Sequence, residues 1–161
     1  MEAFFEQRVV QNPLLGAEAM WTAAVAYVRA RNGVEGLPLA AVFLVLPLAF
    51  HRRSAEALSA RQLQGGLHRA LAQHREMPVL FQERVQSMAE ATWRALNIAL
   101  AADMIRLDTR PPFQLLPSRR TVPFQHSTEE VKTIMAASKR LGHALAQLSL
   151  SHACTLLGVR F

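Results

Sequence analysis

GLPLAAVFLVLPLAFHRR, residues Gly36 to Arg53, carries fourteen consecutive apolar or proline residues from Leu37 to Phe50 and then stops at a basic cluster. A helix that crosses a bilayer needs about 20 apolar residues, so this run is too short to span one. Pro38 fits the first turn of a helix, where a missing N–H costs nothing, but Pro47 would cost a continuous helix about 3 kcal/mol. A secretory signal would place its apolar region at the N-terminus behind a basic segment, whereas the chain opens with MEAFFEQRVV. The run reads as a wholly buried helix, kinked or ended near Pro47, around which other elements pack. A buried strand from Val42 to Leu46 is the alternative.

Outward from this run, the chain has the makings of one mainly helical domain spanning residues 1–161. Its length suffices for a substantial core, and 51% hydrophobic residues argue against disorder. The one cysteine, Cys154, has no intramolecular disulfide partner and fits a reducing cytoplasm, where it reads as a small core residue. A formal charge of +6 suits nucleic acid or an acidic partner without proving either.

Asn12-Pro13 announces the first helix, to about Arg31, ended by Asn32-Gly33. Leu14, Ala17, Trp21, Val25 and Val28 form one stripe. Leu15, Ala19, Met20, Ala23 and Tyr27 leave little polar surface elsewhere, so this helix wants cover on several sides, from a central hairpin or from another subunit. Ser54 and Ser59 are potential caps beyond His51. Ser59 with Gln62 has capping-box spacing before Leu63, Leu67 and Leu71, although Gly65-Gly66 weakens that helix. The clearest long helix runs from Pro78 to about Ala102, with Phe81, Val85, Met88, Thr92, Ala95 and Ala99 on its inner stripe. Trp93 beside that stripe reads as core, while Glu83, Gln86, Ser87, Glu90, Arg94 and Asn97 make a wet face.

Met104 to Leu107 and Phe113 to Leu116 then read as short strands of a hairpin, a winged-helix-like wing between the last two long helices. A loop with a basic tip at Arg119 and Arg120 follows. Ser127-Thr128-Glu129-Glu130 opens the last long helix with a capping serine and acidic residues at the positive end of the dipole. Its buried stripe is Val131, Ile134, Met135, Ser138, Leu141, Leu145 and Leu148. Lys132, Lys139, Arg140 and His143 lie opposite.

Catalytic motifs are missing. The chain has no G-x-x-x-x-G-K-[ST], H-E-x-x-H, paired C-x-x-C, G-x-S-x-G or Gly-rich dinucleotide loop. None of the six histidines pairs with another at i, i+3 or i, i+4 spacing, so no metal or other cofactor and no enzyme activity is expected. The candidate contacts are basic. Arg110, Arg119, Arg120, Lys132, Lys139 and Arg140, with Arg106 nearby, could meet DNA phosphates or an acidic partner. A stand-alone winged-helix DNA-binding protein is the alternative function, although the last long helix lacks the Arg, Asn and Gln density of a base reader.

Asn12-Pro13, the two-proline run from Gly36 to His51, Arg84-Val85, Ile105-Arg106-Leu107, Lys139-Arg140-Leu141-Gly142 and the terminal LLGVRF occur in an order that resembles the middle component of bacterial three-component ABC conflict systems, the Lamassu-type anti-phage systems among them. The resemblance implies a non-catalytic cytoplasmic adaptor subunit between an SMC-like ABC ATPase and an effector, a nuclease in many such systems. The adaptor would restrain the effector until invading DNA is sensed.

Overall fold

A computed structural model describes residues 12–60, 66–118 and 128–161. Helix α1 covers Pro13–Ala30, capped by the Asn12 side chain, which accepts from the Leu15 N–H. Strand β1, Leu37–Pro38, and a 3₁₀ turn, Leu39–Ala41, lead into α2, Val42–Ala49. Three short helices follow: α3, Arg52–Ser59, α4, Gly66–Gln73, and α5, Phe81–Ser87. Helix α6, Ala89–Ala101, leads into the β2–β3 hairpin, Ile105–Asp108 and Gln114–Pro117. Helices α7, Glu129–Leu145, and α8, Leu150–Leu157, complete the described residues. The protein is mainly helical, with a small antiparallel sheet, as expected.

The opening run divides three ways. Its first residues pair as β1 with β3, Leu37 opposite Leu115 and Pro38 opposite Gln114, giving the sheet order β1-β3-β2. Pro38 therefore sits in an edge strand rather than a helical first turn; an edge tolerates the missing N–H. The Gly36 N–H donates to the Gln114 side chain at 2.9 Å and the Leu39 N–H to the Phe113 carbonyl at 3.0 Å, which holds the crossing in place. The central residues form the buried helix α2, not a strand. Pro47 lies inside it, and the helix ends two residues later. Complete burial of Leu44, Val45, Leu46, Leu48 and Phe50 offsets the roughly 3 kcal/mol that such a proline costs, since each such side chain contributes about 1.5–3 kcal/mol.

Helix α1 packs chiefly on α7 and α6, with α2 and the sheet on further sides. Leu15, Gly16, Ala17, Glu18, Ala19, Met20, Ala23, Ala24 and Tyr27 are its buried residues; of the expected Leu14 stripe Ala17 is buried, Trp21, Val25 and Val28 are half-buried and Leu14 is exposed, so the core face is centred away from that stripe. Small residues let α1 and α7 meet backbone to backbone. A Cβ at Gly142 would overlap the Ala23 carbonyl.

The expected helix from Pro78 begins later and bends. Leu80 takes a left-handed conformation at φ 56°, which bars a helix from passing through it. At Met88 the chain turns from α5 into α6. Ser87 Oγ donates to the Arg84 carbonyl at 3.0 Å and Thr92 Oγ1 to the Met88 carbonyl at 2.9 Å, local bonds of the kind that bend helices. The inner stripe survives the bend: Phe81, Val85, Met88, Thr92, Ala95 and Ala99 are all buried.

The caps also shift. Ser59 ends α3 and donates to the Glu56 carbonyl rather than opening a helix, and His51 caps α3 instead. Its capping-box partner Gln62, with Leu63, lies outside the described residues. Thr128 caps α7, its side chain accepting from the Val131 N–H, so the helix starts one residue later than a Ser127 cap would place it. Ser127 itself lies outside the described residues. The strands of the hairpin each sit one residue beyond their expected bounds.

Candidate interaction surface

The basic residues singled out from the sequence fall into different settings. Arg110 lies in the hairpin turn beside the cis Pro111–Pro112 bond. Its guanidinium donates twice to Asp108, at 3.0 and 2.9 Å, and its backbone N–H once, at 3.1 Å. These bonds lower the Asp108 carboxyl pKa to about 2. The charge of Arg110 is thus paired with a neighbouring carboxylate.

Lys132 and Lys139 stand two turns apart on α7 and share its exposed face. Lys132 reaches back to Glu129 at 2.6 Å, the pairing that a helical i, i+3 spacing permits. Lys139 has no ion-pair partner among the described residues. Arg140 points elsewhere. Its guanidinium donates to the carbonyls of Leu58, at 3.0 Å, and of Ala60, so it caps the C-terminal end of α3. Arg119 and Arg120 lie outside the described residues. The structure therefore brings Lys132 and Lys139 together and gives Arg110 and Arg140 internal work. Arg106 is exposed on β2.

Sequence periodicity missed an aromatic group. Trp93 was expected in the core, yet it is 49% exposed; its ring meets Phe43 edge-on, with centroids 5.0 Å apart. Phe161, 66% exposed, also meets Phe43 edge-on, with centroids 6.4 Å apart. Three rings from α2, α6 and the C-terminal residue thus share one partly wet surface. The Gln82 side chain holds the chain end there, accepting from the Arg160 N–H at 2.8 Å and donating to the Arg160 carbonyl at 3.3 Å. Only the tertiary fold reveals this grouping, because its members are far apart in sequence.

Cys154 is partly buried, and desolvation raises its thiol pKa, which disfavours the nucleophilic thiolate. Among the described residues, no three His, Cys, Asp or Glu side chains gather to hold a metal ion. No helix in those residues is long and apolar enough to cross a membrane.

No curated protein and no solved structure matches the chain. The family described as ABC-three component (ABC-3C) system Middle Component 3 matches residues 3–161, in agreement with the order of motifs in the sequence. With nearly its whole length accounted for, the chain belongs to the middle components of ABC-three component systems.

Proposed function

We propose that this chain is a non-catalytic cytoplasmic adaptor, bridging an SMC-like ABC ATPase and an effector of nuclease type and restraining the effector until foreign DNA is sensed. The family match over residues 3–161 carries this reading, because a component of a three-part system acts through the other parts. The partly exposed Phe43, Trp93 and Phe161 rings support it, since clustered aromatic surface marks contact sites more often than solvent-facing ones. Restraint requires that the adaptor bind one state of its partners more tightly than another, as only differential affinity shifts an equilibrium.

Coexpression with the neighbouring ATPase and effector tests the reading. A tag on this chain is expected to retain both proteins through gel filtration. A monodisperse monomer that retains neither contradicts it.

Direct contact with DNA phosphates is the second reading, favoured by the exposed Lys132 and Lys139 on one face of α7. Arg110, Arg119, Arg120 and Arg140 complete the basic set. Binding to duplex DNA would fall steeply with salt, and Lys139→Ala would reduce the salt slope by about 1 if that side chain neutralises one phosphate. A slope unchanged by the substitution excludes Lys139 from the contact.

A further inference from the structure

We propose that Phe161, with Trp93 and Phe43 beside it, is an aromatic anchor that Gln82 holds ready for an apolar, acid-rimmed pocket on a partner protein. The inference rests on the adaptor reading and names the surface and the chemistry through which that adaptor binds. Three local devices fix the last residues. Gly158 ends α8 in a left-handed conformation at φ 68°, and the Val159 N–H closes the turn by donating to the Cys154 carbonyl at 2.9 Å. The Val159 side chain is buried in the core. The Gln82 amide then clasps both backbone groups of Arg160, accepting from its N–H at 2.8 Å and donating to its carbonyl at 3.3 Å.

The clasp presents the next ring instead of hiding it. A clasp that served to cover the core would bury the side chain that follows, yet Phe161 stays 66% exposed and meets Phe43 edge-on at 6.4 Å. Trp93, edge-on to Phe43 at 5.0 Å, is half-exposed as well. An aromatic side chain fixed before contact loses little conformational entropy on binding, and Trp and Arg are enriched among the residues that dominate protein interfaces. Charge indicates the partner. Of the two cations next in sequence to these rings, Arg94 is paired with Glu90 at 2.8 Å, whereas Arg160 is exposed and has no ion-pair partner among the described residues. One free guanidinium beside apolar surface matches a pocket with a carboxylate at its rim; a nucleic-acid strand would call for a row of cations along its phosphates.

Surface plasmon resonance between the full chain and the purified ATPase and effector encoded beside it tests the anchor. Phe161→Ala and Trp93→Ala are each expected to weaken binding of one of the two partners at least about fivefold, and Arg160→Glu to weaken it more than Arg160→Gln. Gln82→Ala should weaken it about threefold to tenfold and add nothing to Phe161→Ala, because its effect runs through the ring. Circular dichroism should show every variant folded. Unchanged binding of both partners by the folded Phe161→Ala and Trp93→Ala variants overturns the anchor and leaves the adaptor reading standing, whereas an unmodified chain that binds neither partner overturns both. Additive effects of Gln82→Ala and Phe161→Ala overturn the positioning role of Gln82. Saturable quenching of tryptophan fluorescence by a single-stranded oligothymidine, lost in Trp93→Ala, would assign the surface to nucleic acid and overturn the proposal.

Discussion

At the scale of single residues, Gly142 is a position where the fold leaves no room for a side chain. Alanine is intrinsically better in a helix by about 0.8–1.0 kcal/mol, but a methyl group here overlaps the Ala23 carbonyl, and overpacking of that kind costs about 1–3 kcal/mol. The clash outweighs the propensity, so Gly142→Ala should lower stability by about 1–2 kcal/mol in urea unfolding. Asp108 offers a pH-dependent counterpart. Its folded pKa, lowered to about 2 by Arg110, lies below its ordinary value, so its contribution to the hairpin is present above about pH 4 and fades as pH falls towards 2. The Arg110 amide signal should titrate through that acid range in NMR spectra, and Asp108→Asn should abolish the titration. Some of this was visible in the sequence. The Asn12-Pro13 cap and the Asn32-Gly33 stop are local signals and fall where local chemistry puts them. Gly142 was legible only as a member of a motif, because its role depends on a backbone from another helix.

At the scale of elements, α7 joins most of the molecule, and Arg140 shows how. By donating to two carbonyls at the end of α3, its guanidinium ties α7 to that helix. Arg140→Ala should cost about 1.5 kcal/mol, the lower end for bonds to charged groups, while Lys139→Ala should stay within about 0.5 kcal/mol. Thermal unfolding of the two variants separates a packing residue from a surface one on the same helix. A similar contrast divides the long bent helix: Phe81→Ala should cost about 3–5 kcal/mol, and Trp93→Ala about 1 kcal/mol, the worth of its edge contact with Phe43. Helical periodicity placed Phe81 and its stripe correctly because they repeat along one face. It misplaced Trp93 because the edge of a stripe is buried only if a neighbour covers it. The break at Leu80 and the bend at Met88 escaped notice for a related reason: neither residue carries a glycine or proline signature.

Across the whole molecule, the described helices all contribute to one apolar core, with the Leu37–Phe50 run at its centre. Composition was enough to establish the helical class and two short local runs the hairpin, whereas β1 could not be foreseen: two residues make a strand only when β3 is there to pair with them. The candidate contact surface was the least legible feature. Charge marked Arg110 and Arg140 as available, and only the fold shows that Asp108 and the α3 carbonyls already occupy them. The central claim is that the chain serves as a bridge. Size-exclusion chromatography with light scattering, run on the purified ATPase and effector with and without this chain, tests it most directly. The account predicts a shared peak with the mass of all three proteins only when the chain is present; a shared peak without the chain, or one that leaves the chain behind, would contradict it.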